Sequence, residues 1–121
     1  MPDFRNIRAW QKADDLAVII YQLTKSFPKS EMYGLTSQIR RAAVSVAANI
    51  AEGSARASER DYLHFLFIAK SSLVEAEYYL HLSHRLGYLD DGTYERVTQI
   101  QRETGKVLQG LIRHIQDRLK S

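Results

Sequence analysis

Apolar residues recur at three- and four-residue steps along nearly the whole chain, and breaks in that rhythm divide it into four helices. Ile7, Trp10, Ala13, Ala17, Ile20 and Thr24 define the first, predicted over 6–26. Phe27-Pro28 closes it, because proline disfavours helical geometry in the residue before it. Ser30 is placed as the cap of a short turn through Tyr33, and Gly34 precedes a second helix that is predicted to stop at a left-handed Gly53. Ser58, three residues before Asp61, opens the third in capping-box style, and this helix ends at Gly87. Asp90 or Asp91 caps the fourth, predicted over 93–119, with Val97, Ile100, Thr104, Val107, Leu111 and Ile115 as its stripe. Gly105 and Gly110 lie inside it, each costing about 1 kcal/mol relative to alanine. Close approach by a neighbouring helix is the use they predict. With short links and no β-type alternation, the expected fold is all-α: an antiparallel up-and-down four-helix bundle, one domain over 1–121.

Two of these helices are apolar on more than one side. In the second, Leu35, Ile39, Ala43, Val46 and Ile50 share the core face, while Val44, Ala47, Ala48 and Ala51 form another face of small residues. Arg41, Ser45, Asn49 and Glu52 make the polar stripe. In the third, Tyr62, Leu66, Ala69, Leu73, Ala76 and Leu80 form the core seam, and Leu63, Phe67, Val74 and Tyr78 fall elsewhere. A monomeric bundle does not use a second apolar stripe, so both faces predict a homo-oligomer. The expected subunit interface is Arg41, Val44, Ala47, Ala48, Asn49, Ala51 and Glu52 with Leu63, Phe67, Val74 and Tyr78. Arg41 and Glu52 are too far apart to pair within one helix. They are expected to pair across the subunit boundary, with Asn49 hydrogen-bonding between them.

Composition narrows the function classes. There is no cysteine, which removes disulfides and thiolate chemistry and fits a cytoplasmic protein. No apolar run has the length of a membrane span, and no charged-then-apolar leader is visible. The formal charge of +3 is mildly basic. It is uneven: the third segment is acidic and the last helix basic, which serves either bundle complementarity or a surface facing a polyanion.

Three stretches carry a resemblance: "FPKSEMYGLTSQIRRAAVSVAANIAEGSAR", "YLHFLFIAKSSLVEAEYYL" and "LGYL". The most specific elements are Glu31, Tyr33-Gly34-Leu35, Gln38, Arg40-Arg41-Ala42 and Asn49-Ile50-Ala51-Glu52-Gly53. From about Phe4 to Ile115 the chain resembles the bacterial four-helix-bundle family of ribosomal-RNA intervening-sequence proteins. That family also includes the accessory protein of diversity-generating retroelements. Many members have Pro-Ser where Ala47-Ala48 stands, and a second glycine in place of Ala55. The resemblance implies a bundle that assembles into a ring, typically a pentamer. For the retroelement subgroup it implies binding of RNA and a reverse transcriptase through a basic surface, and this chain has fewer basic positions than that subgroup.

Catalysis finds no motif. Glu77, His81 and His84 share one face of the third helix, but Glu77 to His81 is one residue longer than the Glu-x-x-His step of di-iron bundles, and no second copy exists. No cofactor or metal is expected. Arg40, Arg56, Arg60, Arg113, Arg118 and Lys120 are the candidate nucleic-acid contacts, able to face phosphates without base stacking because no aromatic interleaves with them. The sequence therefore predicts a non-enzymatic, ring-forming scaffold associated with structured RNA or an RNA-bound protein, or a protein-binding assembly without nucleic-acid contact.

Overall fold

The computed structural model describes residues 3–121, so two residues of the predicted 1–121 domain lie outside it. Four helices make up the fold, α1 (Arg8–Thr24), α2 (Leu35–Ser54), α3 (Glu59–Arg85) and α4 (Asp91–Lys120), with single 3-10 turns at Phe4–Asn6 and Lys29–Glu31. No strand occurs among the described residues. Each helix packs on its two neighbours in cyclic order and none packs on the diagonal one, with α2 and α3 the closest pair and α1 and α4 the loosest. Short links between consecutive helices set them antiparallel.

One core fills the centre. Leu16 and Ile20 of α1 meet Ile39, Ala43, Val46 and Ile50 of α2, Leu66, Leu73 and Leu80 of α3, and Val97, Leu108 and Ile112 of α4. The predicted core faces of α2 and α3 are buried as read, apart from Tyr62, which is half-buried. In α4 the predicted stripe is half right: Val97, Thr104 and Ile115 are buried, but Ile100, Val107 and Leu111 are only half-buried. Gln101, Leu108 and Ile112 take the core positions one residue on, because the side of α4 turned to the core is rotated from the most apolar one.

The helix ends follow local chemistry. Ser58 Oγ accepts the Asp61 backbone N–H at 3.1 Å, and Asp90 Oδ1 accepts that of Thr93 at 2.7 Å. Hydrogen bonds from Thr93 hold the Asp90 carboxyl below its usual value. Gly87, at φ +79°, ends α3: its own N–H bonds to the His84 carbonyl and the Tyr88 N–H reaches back to Ser83. Ser30 caps nothing; it lies inside the 3-10 turn.

Gly53 is not the left-handed cap the sequence predicts. It is buried within α2, and a Cβ there would stand 2.7 Å from Phe65 Cβ and 3.0 Å from Tyr62 Cδ1. Close approach of α2 and α3 is what requires it. The two glycines in the middle of α4 differ: Gly105 would place a Cβ at an ordinary 3.5 Å from Leu73, and Gly110 meets nothing within 4 Å among the described residues. The close contact predicted for α4 thus belongs to α2.

Candidate interaction surfaces

The predicted interface residues do not form one patch. On α2, Arg40 marks the side facing α1, since its Nε donates to Thr24 Oγ1 at 2.8 Å and its guanidinium lies 4.6 Å over the Tyr21 ring. Ser45 marks the side facing α3, with its hydroxyl 2.9 Å from that of Ser72. At 3.6 residues per turn, Val44 and Ala51 fall within roughly 40° of Arg40 and at least roughly 100° from Ser45. They therefore sit on the α1 flank, with Ala48 pointing outward. On α3, Phe67, Val74 and Tyr78 lie roughly 120–160° around the helix from Ser72, on the side turned away from α2. Between the two patches, Gln38, Arg41, Ser45, Ser72 and Glu75 line a polar groove along the α2–α3 seam.

Exposure separates the members further. Val44 (44%), Phe67 (42%), Val74 (56%) and Tyr78 (55%) remain open to solvent. Ala47 is buried in the core, and Leu63 is half-buried against it, so neither belongs to a free surface. Within the chain, the Asn49 amide donates to the Ser45 carbonyl at 2.8 Å and to Ser45 Oγ at 3.0 Å. Glu52 takes a partner one turn away, Arg56 Nη2 at 2.9 Å.

Of the six candidate phosphate contacts, three are engaged within the fold. Arg40 is tied to α1 as described. Arg56 combines its Glu52 bond with a position 4.6 Å over the Phe65 ring, and Arg118 pairs with Glu59 at 2.6 Å. Arg60, Arg113 and Lys120 are exposed and make no ion pair among the described residues.

The Glu77/His81/His84 face comes apart. His84 turns to the α3–α4 corner, Nε2 2.7 Å from Asp91 Oδ1, its ring stacked on Tyr94 at 4.2 Å and 3°. Among the described residues no group of three His, Asp or Glu side chains could hold a metal ion, and no helix is long and apolar enough to cross a membrane.

Sequence reasoning missed what Glu31 does. Its Oε1 accepts the Leu35 N–H at 3.2 Å at the start of α2, and its Oε2 accepts the Tyr88 hydroxyl at 2.9 Å. Gly34 lets the carboxylate fold back this closely, since a Cβ there would meet Oε1 at 2.8 Å. An acid three residues before a glycine that starts a helix was the available local signal; the tyrosine 57 residues away was not.

Three tyrosines are held above the ordinary pKa of 10.0: Tyr62 by burial, Tyr79 chiefly by its bond to Glu75, and Tyr88 chiefly by its bond to Glu31. The folded state therefore favours their neutral forms, and the unfolded chain ionises first. Stability is expected to be unaffected by these groups below pH 10 and to fall as pH rises past it. Tyr88→Phe should flatten that alkaline limb in denaturant midpoints measured from pH 8 to 11. An unchanged limb would show that Tyr88 does not contribute.

Comparison with known proteins agrees with this architecture. Residues 5–110 match the family described as 23S rRNA-intervening sequence protein. Among solved structures, a protein of unknown function from the S23 ribosomal protein family of Bacteroides thetaiotaomicron superposes with a TM-score of 0.80 at 30% identity, covering 86% of this chain and 97% of that one. No curated protein matches.

Proposed function

The chain belongs to the 23S rRNA-intervening sequence protein family, and we propose that it is a non-enzymatic scaffold that assembles head to tail with copies of itself and holds structured RNA electrostatically. One observation carries the assembly: apolar patches on opposite flanks of the bundle, one small (exposed Val44 with half-buried Ala51) and one bulky and exposed (Phe67, Val74, Tyr78). Two different patches on opposite flanks cannot form a single self-complementary surface. Their pairing is heterologous, which closes into a ring when the rotation permits; the pentamer implied by the family resemblance is such a ring. A polar α2–α3 seam separates the patches and keeps each distinct.

The RNA contact rests on Arg60, Arg113 and Lys120, which symmetry would repeat around the ring. The family's name associates it with intervening sequences of 23S rRNA without stating a ligand. Sedimentation equilibrium should give a multiple of the 13.9 kDa chain mass; a stable monomer would overturn the assembly. Affinity for a structured RNA should fall steeply as salt rises, with a shallower dependence for Arg60→Ala/Arg113→Ala. Binding that is flat with salt or absent would remove the RNA role and leave the protein-binding scaffold.

A further inference from the structure

The loosest seam of the bundle, between α1 and α4, carries a continuous surface groove. At one end Arg8, Lys12, Lys106 and Gly110 border about 480 Å³. Lys12 and Glu103 lead into a middle stretch of about 310 Å³ over Val18, Ile19 and Ile100. Ile19 and Ile100 then continue into about 430 Å³ bordered by Leu23, Val97 and Arg96. From Thr93 to Gly110 the groove follows roughly 25 Å of α4, about the length of a helix of four to five turns.

Its chemistry is divided along that length. The middle and far end offer an aliphatic floor, rimmed by the Asp15 and Glu103 carboxylates in the middle and by Arg96 at the far end. The near end is cationic, with Arg8, Lys12 and Lys106 beside one carboxylate, Glu103, which among the described residues makes only a 3.9 Å ion pair with Lys12. Gly110 adds an independent sign. A glycine inside a helix costs about 1 kcal/mol against alanine, yet among the described residues no atom uses the space its missing Cβ leaves.

We infer that the α1–α4 groove receives an amphipathic helix of another polypeptide, with aliphatic anchors over Ile19 and Ile100 and carboxylates toward Arg8, Lys12 and Lys106. The small surface at Gly110 lets that helix approach closely. A phosphate backbone fits less well: over the middle stretch it would face the Asp15 and Glu103 carboxylates, at the far end Arg96 stands among aliphatic side chains, and no aromatic ring lines the groove for base stacking. The surface is separate from the two assembly patches, so this inference goes beyond the scaffold reading and does not depend on it.

The test uses the full-length protein and fluorescein-labelled 18-residue peptides with leucine at helical a and d spacing. One peptide carries glutamate at its other positions, and its mirror in charge carries lysine. The glutamate peptide should bind, weaken with salt, and lose at least about tenfold affinity (some 1.4 kcal/mol) in Lys12→Glu/Lys106→Glu and separately in Gly110→Trp. All three positions lie at the surface, and circular dichroism checks that each variant stays folded. Equal binding of the lysine peptide, or undiminished binding by both variants, would overturn the inference. Displacement of the glutamate peptide by an oligouridylate would assign the groove to nucleic acid instead. A fall in oligomer mass in either variant would assign it to a second copy of the chain. Both of these outcomes also overturn it.

Discussion

A Val44→Glu chain mixed with a Tyr78→Glu chain will form dimers although neither variant assembles alone. Each substitution places a carboxylate in the centre of an apolar contact, where an unpaired charge costs several kcal/mol, and every 1.4 kcal/mol or so is tenfold in association. A chain that has lost one patch retains the other. In a head-to-tail contact, the intact bulky patch of the Val44→Glu chain meets the intact small patch of the Tyr78→Glu chain, and growth stops at two. An isologous contact built from both patches would bring the two carboxylates against each other in the mixed pair and would not be restored by mixing. Because both side chains are exposed in the isolated bundle, helicity should be retained in each variant. Light scattering on each variant and on the equimolar mixture decides. A mixture that stays monomeric excludes the head-to-tail arrangement.

The same glycine-to-alanine change will have opposite effects at two sites. Gly53→Ala should destabilise by about 1–3 kcal/mol, the usual cost of overpacking, because its methyl would stand 2.7 Å from Phe65 Cβ on a helix the α2–α3 contact holds in place. Gly110→Ala should stabilise by up to about 1 kcal/mol through helix propensity alone, as nothing among the described residues lies within 4 Å. For a chain of this size that is a drop of some 5–15 °C at Gly53 and a rise of a few degrees at Gly110. Thermal melts of the two variants would contradict the packing account if Gly53→Ala melted at or above the parent temperature.

What could be read from the sequence was what is local. Ser58, Asp90 and Gly87 end helices through partners within five residues, and each was legible from residue type and spacing. The core faces of α2 and α3 followed from periodicity, because one side of each helix is filled with large aliphatics. Gly53 was misread for a physical reason. A glycine near a helix end has the same sequence signature whether it turns the chain or admits a neighbour, and only the position of Phe65 distinguishes the two. The arginines were illegible in the same way: Arg40 engages Tyr21 and Thr24, 19 and 16 residues back, and Arg56 engages Phe65, nine residues on. The apolar stripes were recognised, but which flank each occupies depends on where α1 and α4 stand.

The unequal links of the bundle also rank its seams by chain entropy. Four residues join α2 to α3, whereas the Thr104 hydroxyl approaches the Lys12 carbonyl across 92 residues of chain. By the logarithmic law of loop closure, bringing together ends that far apart costs about 3 kcal/mol more than closing a four-residue link. The seam with the weakest packing is therefore the one that must also overcome the greatest loss of chain freedom. The α2–α3 hairpin, closed around Gly53 with almost no loop to order, supplies the rigid half against which α1 and α4 are held.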